Sequence, residues 1–516
     1  MRRVGRGEWL VRFNNFSDGL WLPEGIDFGV PPNALLVANN IEYTTSGGVR
    51  GRRGRTRFVT LASPIISLWR HYPRTGSIKT LAAIDSGSAV KFQDASGTSS
   101  TFADVSGGGS LTTAMPWYFT NWSSKNKSFL ANGSNPLKSY DGSAIASVSS
   151  VGTAGYLNPV PDGPYLVIHK ARLWATKSSE LNYSVYASNV NDETSFLATN
   201  QLSVNDPKGG VITGLASFFD FLLIFKSSSI WRFVGDIGTL TGAQLARYCD
   251  RGCTAPNSIA VTPFGVIFVG KDGVWLTDGT QPVPQELSAP IRSLFTARAS
   301  ETAYASAVGT WYPRKQMYVL KLDPTASEAW VLQRIQVLYE NPYIGAHSQA
   351  VWIWSKHTSL PCAAGTTMST WFSDTDDGRL MIGDANGKIW VYDADSTTTD
   401  DGTAIVSSIQ TASRPMDASG RTGCAYRAKV LFRGTQALTG SLFYDQHTSA
   451  DSSFTAGSVI GSPAEFWRRA SIFDFAKQGR FVSVSVSNPS DSYQFELNAI
   501  DLDVRLRSRR VWRETN

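Results

Sequence analysis

Two arginine clusters are the densest concentrations of chemistry-bearing side chains in this 516-residue sequence. Arg50, Arg52, Arg53, Arg55 and Arg57 alternate with Gly51 and Gly54, and Arg505, Arg507, Arg509, Arg510 and Arg513 crowd the other end of the chain. A guanidinium is planar, permanently charged and forked, so it suits the oxygens of phosphates and carboxylates. One reading makes these clusters solvated turns or contacts to an acidic protein surface. The other makes them non-specific contacts with a nucleic-acid backbone. No aromatic residues are interleaved in a way that would read bases.

Other reactive side chains lack the spacing that catalysis needs. The sequence has no phosphate-binding loop, no His-Glu-x-x-His and no Gly-x-Ser-x-Gly elbow. His71, His169, His347, His357 and His447 have no patterned partners and read as packing or surface residues. Asp94, Asp141, Asp278 and Asp393 recur at the same place in a repeated unit. That marks turns, because a glycosidase needs its two carboxylates at unique positions. Ser373 to Gly378 looks like a calcium loop, yet counted from its first carboxylate, Asp374, the twelfth position is Ala385 and not an acid, so a turn is the simpler reading. Cys249 and Cys253 read as ordinary thiols, with a local disulfide or a metal site as alternatives. Trp352 with Trp354, and Trp371 with Phe372, fit a hydrophobic core or a sugar platform. No catalytic, cofactor-binding or metal-ligating residue is expected, and the chain does not read as an enzyme.

The elements that would position these residues are short strands. Gly (45) and Trp (16) are abundant, while charged residues make up only 17%, which suits many strands with small polar turns and does not suit a coiled coil or a disordered chain. The formal charge of +6 is small for this length, so any nucleic-acid contact must be local. No apolar segment follows the basic N-terminus, and the run Phe218 to Phe225 is too short to span a bilayer. No membrane span is expected, and synthesis in the host cytoplasm follows.

Gly270-Lys271-Asp272-Gly273-Val274-Trp275-Leu276-Thr277-Asp278-Gly279 reads as a turn at Asp272-Gly273, a short strand and a second turn. Relatives of this module begin near residues 89, 137, 182, 230, 329 and 389. Continuous apolar runs precede most of them, among them Leu222 to Phe225 and Val266 to Val269. A period somewhat above ~40 residues matches the four-stranded blade of a β-propeller. The predicted fold is all-β. It has an extended N-terminal arm over 1–54 with one helical turn near Asn33 to Ala38, then a six- or seven-bladed propeller over 55–398. Asp395 to Gly402 reads as a polar linker, and alternating strands over 403–508 as a β-sandwich.

The sequence also resembles a family. Asn14-Asn15-Phe16-Ser17-Asp18-Gly19-Leu20, Pro32-Asn33-Ala34-Leu35, Ala38-Asn39-Asn40, Gly48-Val49-Arg50 and Arg53-Gly54 look like the opening of tail nozzle and hub proteins of short-tailed bacteriophages. Val266 to Trp275, followed by Pro284, Leu287, Ser288 and Ile291, is similar to their mid-propeller stretch. The resemblance implies a structural virion protein of the tail. Six copies would form a ring below the portal and adaptor, continue and close the DNA channel, and carry fibres or spikes. The chain is short for the larger nozzle proteins and nearer in size to plug proteins that stabilise packaged DNA, so both remain open. The alternatives are a carbohydrate-binding or depolymerising propeller at the tail tip, and a cellular propeller scaffold.

Overall fold

The computed structural model describes residues 2–5, 8–23, 29–87, 90–108, 111, 115–206, 208–237, 243–296, 304–341, 345–373, 376–394, 397–417, 420–434, 437–456, 466–471, 477–488 and 495–506. The chain divides into two compact units. One comprises Thr56–Ala329 and Ser359–Tyr392, and the other Met1–Arg55, Trp330–Thr358 and Asp393–Asn516.

The first unit is a seven-bladed β-propeller. Each blade begins with an inner strand: Ile65–His71, Tyr118–Trp122, Leu166–His169, Ile212–Phe218, Ala260–Thr262, Val308–Tyr312 and Met368–Ser373. The recurrent four-residue module lands on the third strand of each blade. Within this unit these strands are Val90–Ser96, Lys138–Tyr140, Ser184–Ala187, Ile230–Val234, Gly273–Thr277 and Lys388–Tyr392, and the sixth blade's module begins at Ala329, the last residue of the unit before Ser359. The apolar runs before it are the second strands, which are buried on both faces. Leu222, Leu223, Ile224 and Phe225 are all fully inaccessible, as are Val266 to Val269. Burial of such side chains is worth roughly 1.5–3 kcal/mol each. The cores therefore lie between blades. Leu81 and Phe92 of the first blade pack with Leu130 and Tyr140 of the second, and Trp174 of the third packs with Leu222 and Phe233 of the fourth.

The last blade is completed from the other end of the unit. Thr56–Thr60 forms its outer strand, antiparallel to Lys388–Tyr392, with Val59 opposite Ile389. The sixth blade is the discontinuous one. After Val308–Tyr312 and Met317–Lys321 the chain leaves the propeller unit at Ala329 and re-enters it at Ser359.

Two local expectations change. The turn before Gly273–Thr277 is Lys271-Asp272, and Gly273 already pairs with Gly270. Glycine is required there by close approach, because a Cβ would lie 2.2 Å from Ser288 Oγ. Asp94 does not mark a turn. It sits within its strand, where its carboxylate accepts from Lys79 Nζ at 3.0 Å and from the Tyr140 hydroxyl.

Among the described residues the second unit contains two large sheets and the small pair Thr399–Asp400 with Thr403–Ala404. One orders Arg2–Gly5, Glu8–Asn14, Glu496–Leu506, Gly423–Arg433 and Phe466–Ser471, with Val49–Gly51 also paired to Glu496–Leu506. The other runs Gly345–His357, Ala34–Asn39, Ser407–Thr411, Phe481–Asn488, Leu438–Tyr444 and Ser452–Ala456. The Tyr444 hydroxyl links the sheets by accepting from the Ala425 amide at 3.2 Å. The N-terminal residues are thus not a free arm. Val11, Phe13, Phe16, Leu20 and Leu35 are buried, and their strands complete both sheets. The expected helical turn near Asn33 to Ala38 is instead the strand Ala34–Asn39, parallel to Gly19–Leu20 and antiparallel to Ser407–Thr411. Leu35 and Ala38 are fully inaccessible, so long-range pairing overrides the local preference.

Candidate functional site

The arginine clusters resolve into residues with different tasks. Arg52 is enclosed, with 1% of its side chain exposed. Its Nη2 donates to Asp400 Oδ2 at 2.5 Å and to the Thr358 carbonyl at 2.9 Å. Its Nη1 reaches Asp400 Oδ1 at 3.0 Å, and its Nε reaches Asn40 Oδ1 at 2.9 Å. A guanidinium so committed contacts no phosphate, and Arg52 is a brace. Asp400, expected in a linker, is buried by the same pairing and also accepts from the Arg55 amide at 3.2 Å. The polar stretch around it is therefore structural.

Arg50 is exposed and donates to the buried Glu42 at 2.9 Å. Arg53 and Arg55 are half-buried, and Arg57 is exposed on the outer strand of the last blade. Arg505 is exposed, with its guanidinium 4.8 Å from the centre of the Tyr426 ring. Arg507, Arg509, Arg510 and Arg513 lie outside the described residues. Arg50 and Arg505 share a sheet, yet Arg50 stands opposite Glu496, at the other end of the strand that carries Arg505. At ~3.3 Å per residue this separates them by roughly 30 Å. Arg50 and Arg505 therefore do not share a patch.

The more organised feature is the centre of the propeller. Its inner strands enclose a cavity of about 510 Å³. Trp69 and Phe119 line it with nearly parallel rings, 5.4 Å apart and inclined by 7°. Tyr118 and Tyr165 meet edge to face at 5.0 Å. Burial raises both phenols well above their ordinary range, so both stay un-ionised near neutrality. Behind the rings runs a polar chain. Trp69 Nε1 donates to Asn121 Oδ1 at 3.3 Å, Ser128 Oγ donates to the same oxygen at 2.5 Å, and His71 Nδ1 meets Ser128 Oγ at 2.7 Å. Burial lowers the His71 pKa to about 4, and His169, whose Nδ1 is 2.8 Å from Ser217 Oγ, is lowered equally. Both are neutral packing residues at pH 7.

Among the described residues lining the cavity there is no Asp or Glu, and the one charged side chain is Arg70. Arg70 is 2% exposed and donates to Thr80 Oγ1 at 2.5 Å and to the Gly97 carbonyl at 2.6 Å. Asp94, Asp141, Asp278 and Asp393 do not line the cavity. Asp141 and Asp278 accept the amides of Ala144 and Thr280, both at 2.8 Å, as turn residues do. Among the described residues that line it, the cavity has no pair of carboxylates of the kind glycoside cleavage uses.

Comparison with known proteins adds little to this geometry. No protein-family model matches the chain. No curated protein matches it. Among solved structures it is similar to the WD40 domain of Neurospora crassa Pan2, at 9% identity over 67% of this chain and 98% of that one, with a TM-score of 0.38. It is also similar to PorZ of the Porphyromonas gingivalis type IX secretion system, at 9% identity over 79% of this chain and 50% of that one, TM-score 0.35. A family 43 arabinoxylan arabinofuranohydrolase from Bacillus subtilis matches at 8% identity over 96% of this chain and 100% of that one, TM-score 0.22. Likenesses this distant carry no functional argument, and the propeller assignment stands on the strand pairings themselves.

The remaining candidates settle as follows. The four cysteines are free thiols, and burial raises the pKa of Cys253 to about 12. No group of three or more His, Cys, Asp or Glu among the described residues is placed to hold a metal. Trp354 is fully buried and Trp352 is not, so the pair makes no platform. The side chains of Trp371, Phe372 and His347 lie outside the described residues. In the Ser373 to Gly378 turn, residues 374 and 375 also lie outside them. No helix among the described residues is long and apolar enough to cross a membrane. Sequence reasoning missed Trp69, Phe119 and Trp311 as cavity residues. The repeat was indexed on second and third strands, and inner strands face a shared channel with no common pattern.

Proposed function

We propose that this chain is a structural protein of a short-tailed bacteriophage virion. Six copies would form a nozzle or hub below the portal and adaptor, continue and close the DNA channel, and carry fibres or spikes. The observation that carries this reading is where the resemblance falls in the fold. Asn15, Gly19 and Asn40, which belong to the matching motifs, all have left-handed backbone, with φ of 65°, 67° and 54°. A Cβ at Gly54 would lie 1.9 Å from the Thr399 carbonyl oxygen. These motif residues thus stand at positions where the backbone itself calls for glycine or asparagine.

Two further features agree with an assembly role. The described residues lining the central cavity include no carboxylate pair for hydrolysis. The described arginines of the two clusters are braced or dispersed, with Arg52 buried, which suits a wall that DNA passes without being gripped. The experiment is light scattering and cryo-electron microscopy of the full chain mixed with the portal–adaptor complex. A six-fold ring docked below the adaptor is expected. A chain that stays monomeric and never joins the complex refutes the reading.

A further inference from the structure

We propose that the outer face of the sheet built on Glu496–Leu506 docks an acidic segment of a partner protein. This inference does not depend on the assembly reading, since it rests on side chains of the second unit alone.

Three neighbouring strands build the face: Glu8–Asn14, Glu496–Leu506 and Gly423–Arg433. Ile500, Leu502 and Val504 are fully inaccessible and face inward. Asp501, Asp503 and Arg505 alternate with them and therefore share the opposite face. Arg12 and Lys429 stand opposite Asp501, and Arg427 stands opposite Asp503. Arg12 donates to Asp501 through Nε and Nη2, both at 2.7 Å. Lys429 Nζ reaches Asp503 Oδ1 at 2.9 Å, and Arg427 Nη1 reaches its Oδ2 at 3.5 Å. The carboxylates lie beneath and the cations above. Asp501 is 5% exposed and Asp503 7%, against 50% for Arg12 and 43% for Arg427. Solvent thus meets guanidinium groups whose orientation is fixed from below.

A bulge adds an aromatic ring. The register shifts between Ala425 and Arg427, so Tyr426 is an extra residue of its strand. Arg427 and Arg505 both hold their guanidinium groups near its ring, 5.6 Å and 4.8 Å from the centre. Arginine and tyrosine are the side chains that most often anchor protein–protein contacts.

Net charge narrows the partner. The register sets Glu8 opposite Arg505. Counted with Asp501 and Asp503, it brings three acids against the four cations Arg12, Arg427, Lys429 and Arg505. A surface so nearly neutral exerts little pull on a nucleic acid or a sulfated glycan, whose binding grows with each uncompensated charge. Fixed guanidinium forks instead reward carboxylates that meet them at hydrogen-bond distance.

The test is fluorescence anisotropy of the full chain with three labelled probes: a glutamate-rich peptide containing tyrosine and leucine, a duplex oligonucleotide and a heparin oligosaccharide. The peptide is expected to bind more tightly than the other two at physiological salt. Arg427→Gln with Arg505→Gln should weaken it about tenfold through the loss of two close charged contacts. Arg433, an exposed cation of the same strand, lies six residues from Arg427, or roughly 20 Å. Arg433→Gln should change peptide binding less than about twofold. Melting curves accompany the variants, and if Arg427→Gln lowers the midpoint, Arg505→Gln alone decides, with a loss of about threefold. No peptide binding, a duplex or heparin bound at least as tightly, peptide binding untouched by the Arg427 and Arg505 substitutions, or an equal loss with Arg433→Gln would each overturn the proposal.

Discussion

Replacing Arg52 by Met should destabilise the unit that holds both chain ends far more than an average arginine substitution. The guanidinium is 1% exposed and Asp400 3%. The variant keeps much of the aliphatic volume, so the change is electrostatic. It leaves the buried Asp400 with only Arg55, whose amide is at 3.2 Å and whose Nε is at 3.9 Å, and it takes a donor from the Thr358 and Arg53 carbonyls. Removing one partner of a buried ion pair costs roughly 3–5 kcal/mol. Removing both costs less, since the uncompensated charge disappears. Arg52→Met with Asp400→Leu should therefore recover roughly 2 kcal/mol of that loss, the remainder being the orphaned acceptors at about 1 kcal/mol each. Urea titration followed by circular dichroism gives the midpoints. Hydrogen exchange on peptides covering residues 34–60 and 397–411 places the loss in this unit. If Arg52→Met shifts stability by less than about 0.5 kcal/mol, as an exposed arginine would, the brace is refuted. Strict additivity of the two substitutions would refute the coupling.

Three further outcomes follow from the same coordinates. His71 and His169 are held neutral, with pKa lowered to about 4, while the unfolded chain protonates near the ordinary 6.5. Below that value the unfolded state binds protons that the folded state refuses, so stability falls from pH 6.5 towards 4 and then levels. The loss between pH 7 and 5 should be roughly 1–2 kcal/mol per histidine, and His71→Gln with His169→Gln should flatten that part of the urea-midpoint profile. Val59→Pro should loosen the last blade. Leu61 donates its amide to the Gly387 carbonyl at 2.8 Å, and Val59, two residues on, shares that bonding parity opposite Ile389. Loss of the ladder bond and the proline clash should cost roughly 2–3 kcal/mol, visible as faster proteolysis near residue 60. Gly54→Ala places a Cβ 1.9 Å from the Thr399 carbonyl oxygen and should lower the urea midpoint by the equivalent of roughly 1–3 kcal/mol, whereas Gly402→Ala meets no neighbour within 4 Å and serves as the strain-only control at φ 85°.

The propeller was legible because its signal is local. A hairpin such as Val266–Val269 with Val274–Leu276 writes its burial into adjacent residues, and repetition multiplies the signal. The period and the third-strand register were both readable without coordinates. The cavity was less legible. Trp69 and Phe119 belong to different blades, and their stacking follows from ring closure, which no single blade encodes. The N-terminal residues misled for a related reason. Their prolines and glycines suggest an arm, and only pairing with strands hundreds of residues away reveals the buried face of Leu35 and Ala38.

Sequence alone determined that the chain is all-β, that a blade-sized module recurs, and that residue types and spacings offer no patterned catalytic set. Tertiary structure decided that there are seven blades, that Thr56–Thr60 completes the last, and that the two chain ends build one unit. It also decided the fate of the arginines. Arg52 and Arg50 are two residues apart and chemically identical, yet one is sealed against Asp400, 348 positions away, and the other faces solvent. Side chains two apart on one strand share a face, but the strand Val49–Gly51 ends between these two, so what each one meets is set by what packs there. That partner is chosen by the fold as a whole.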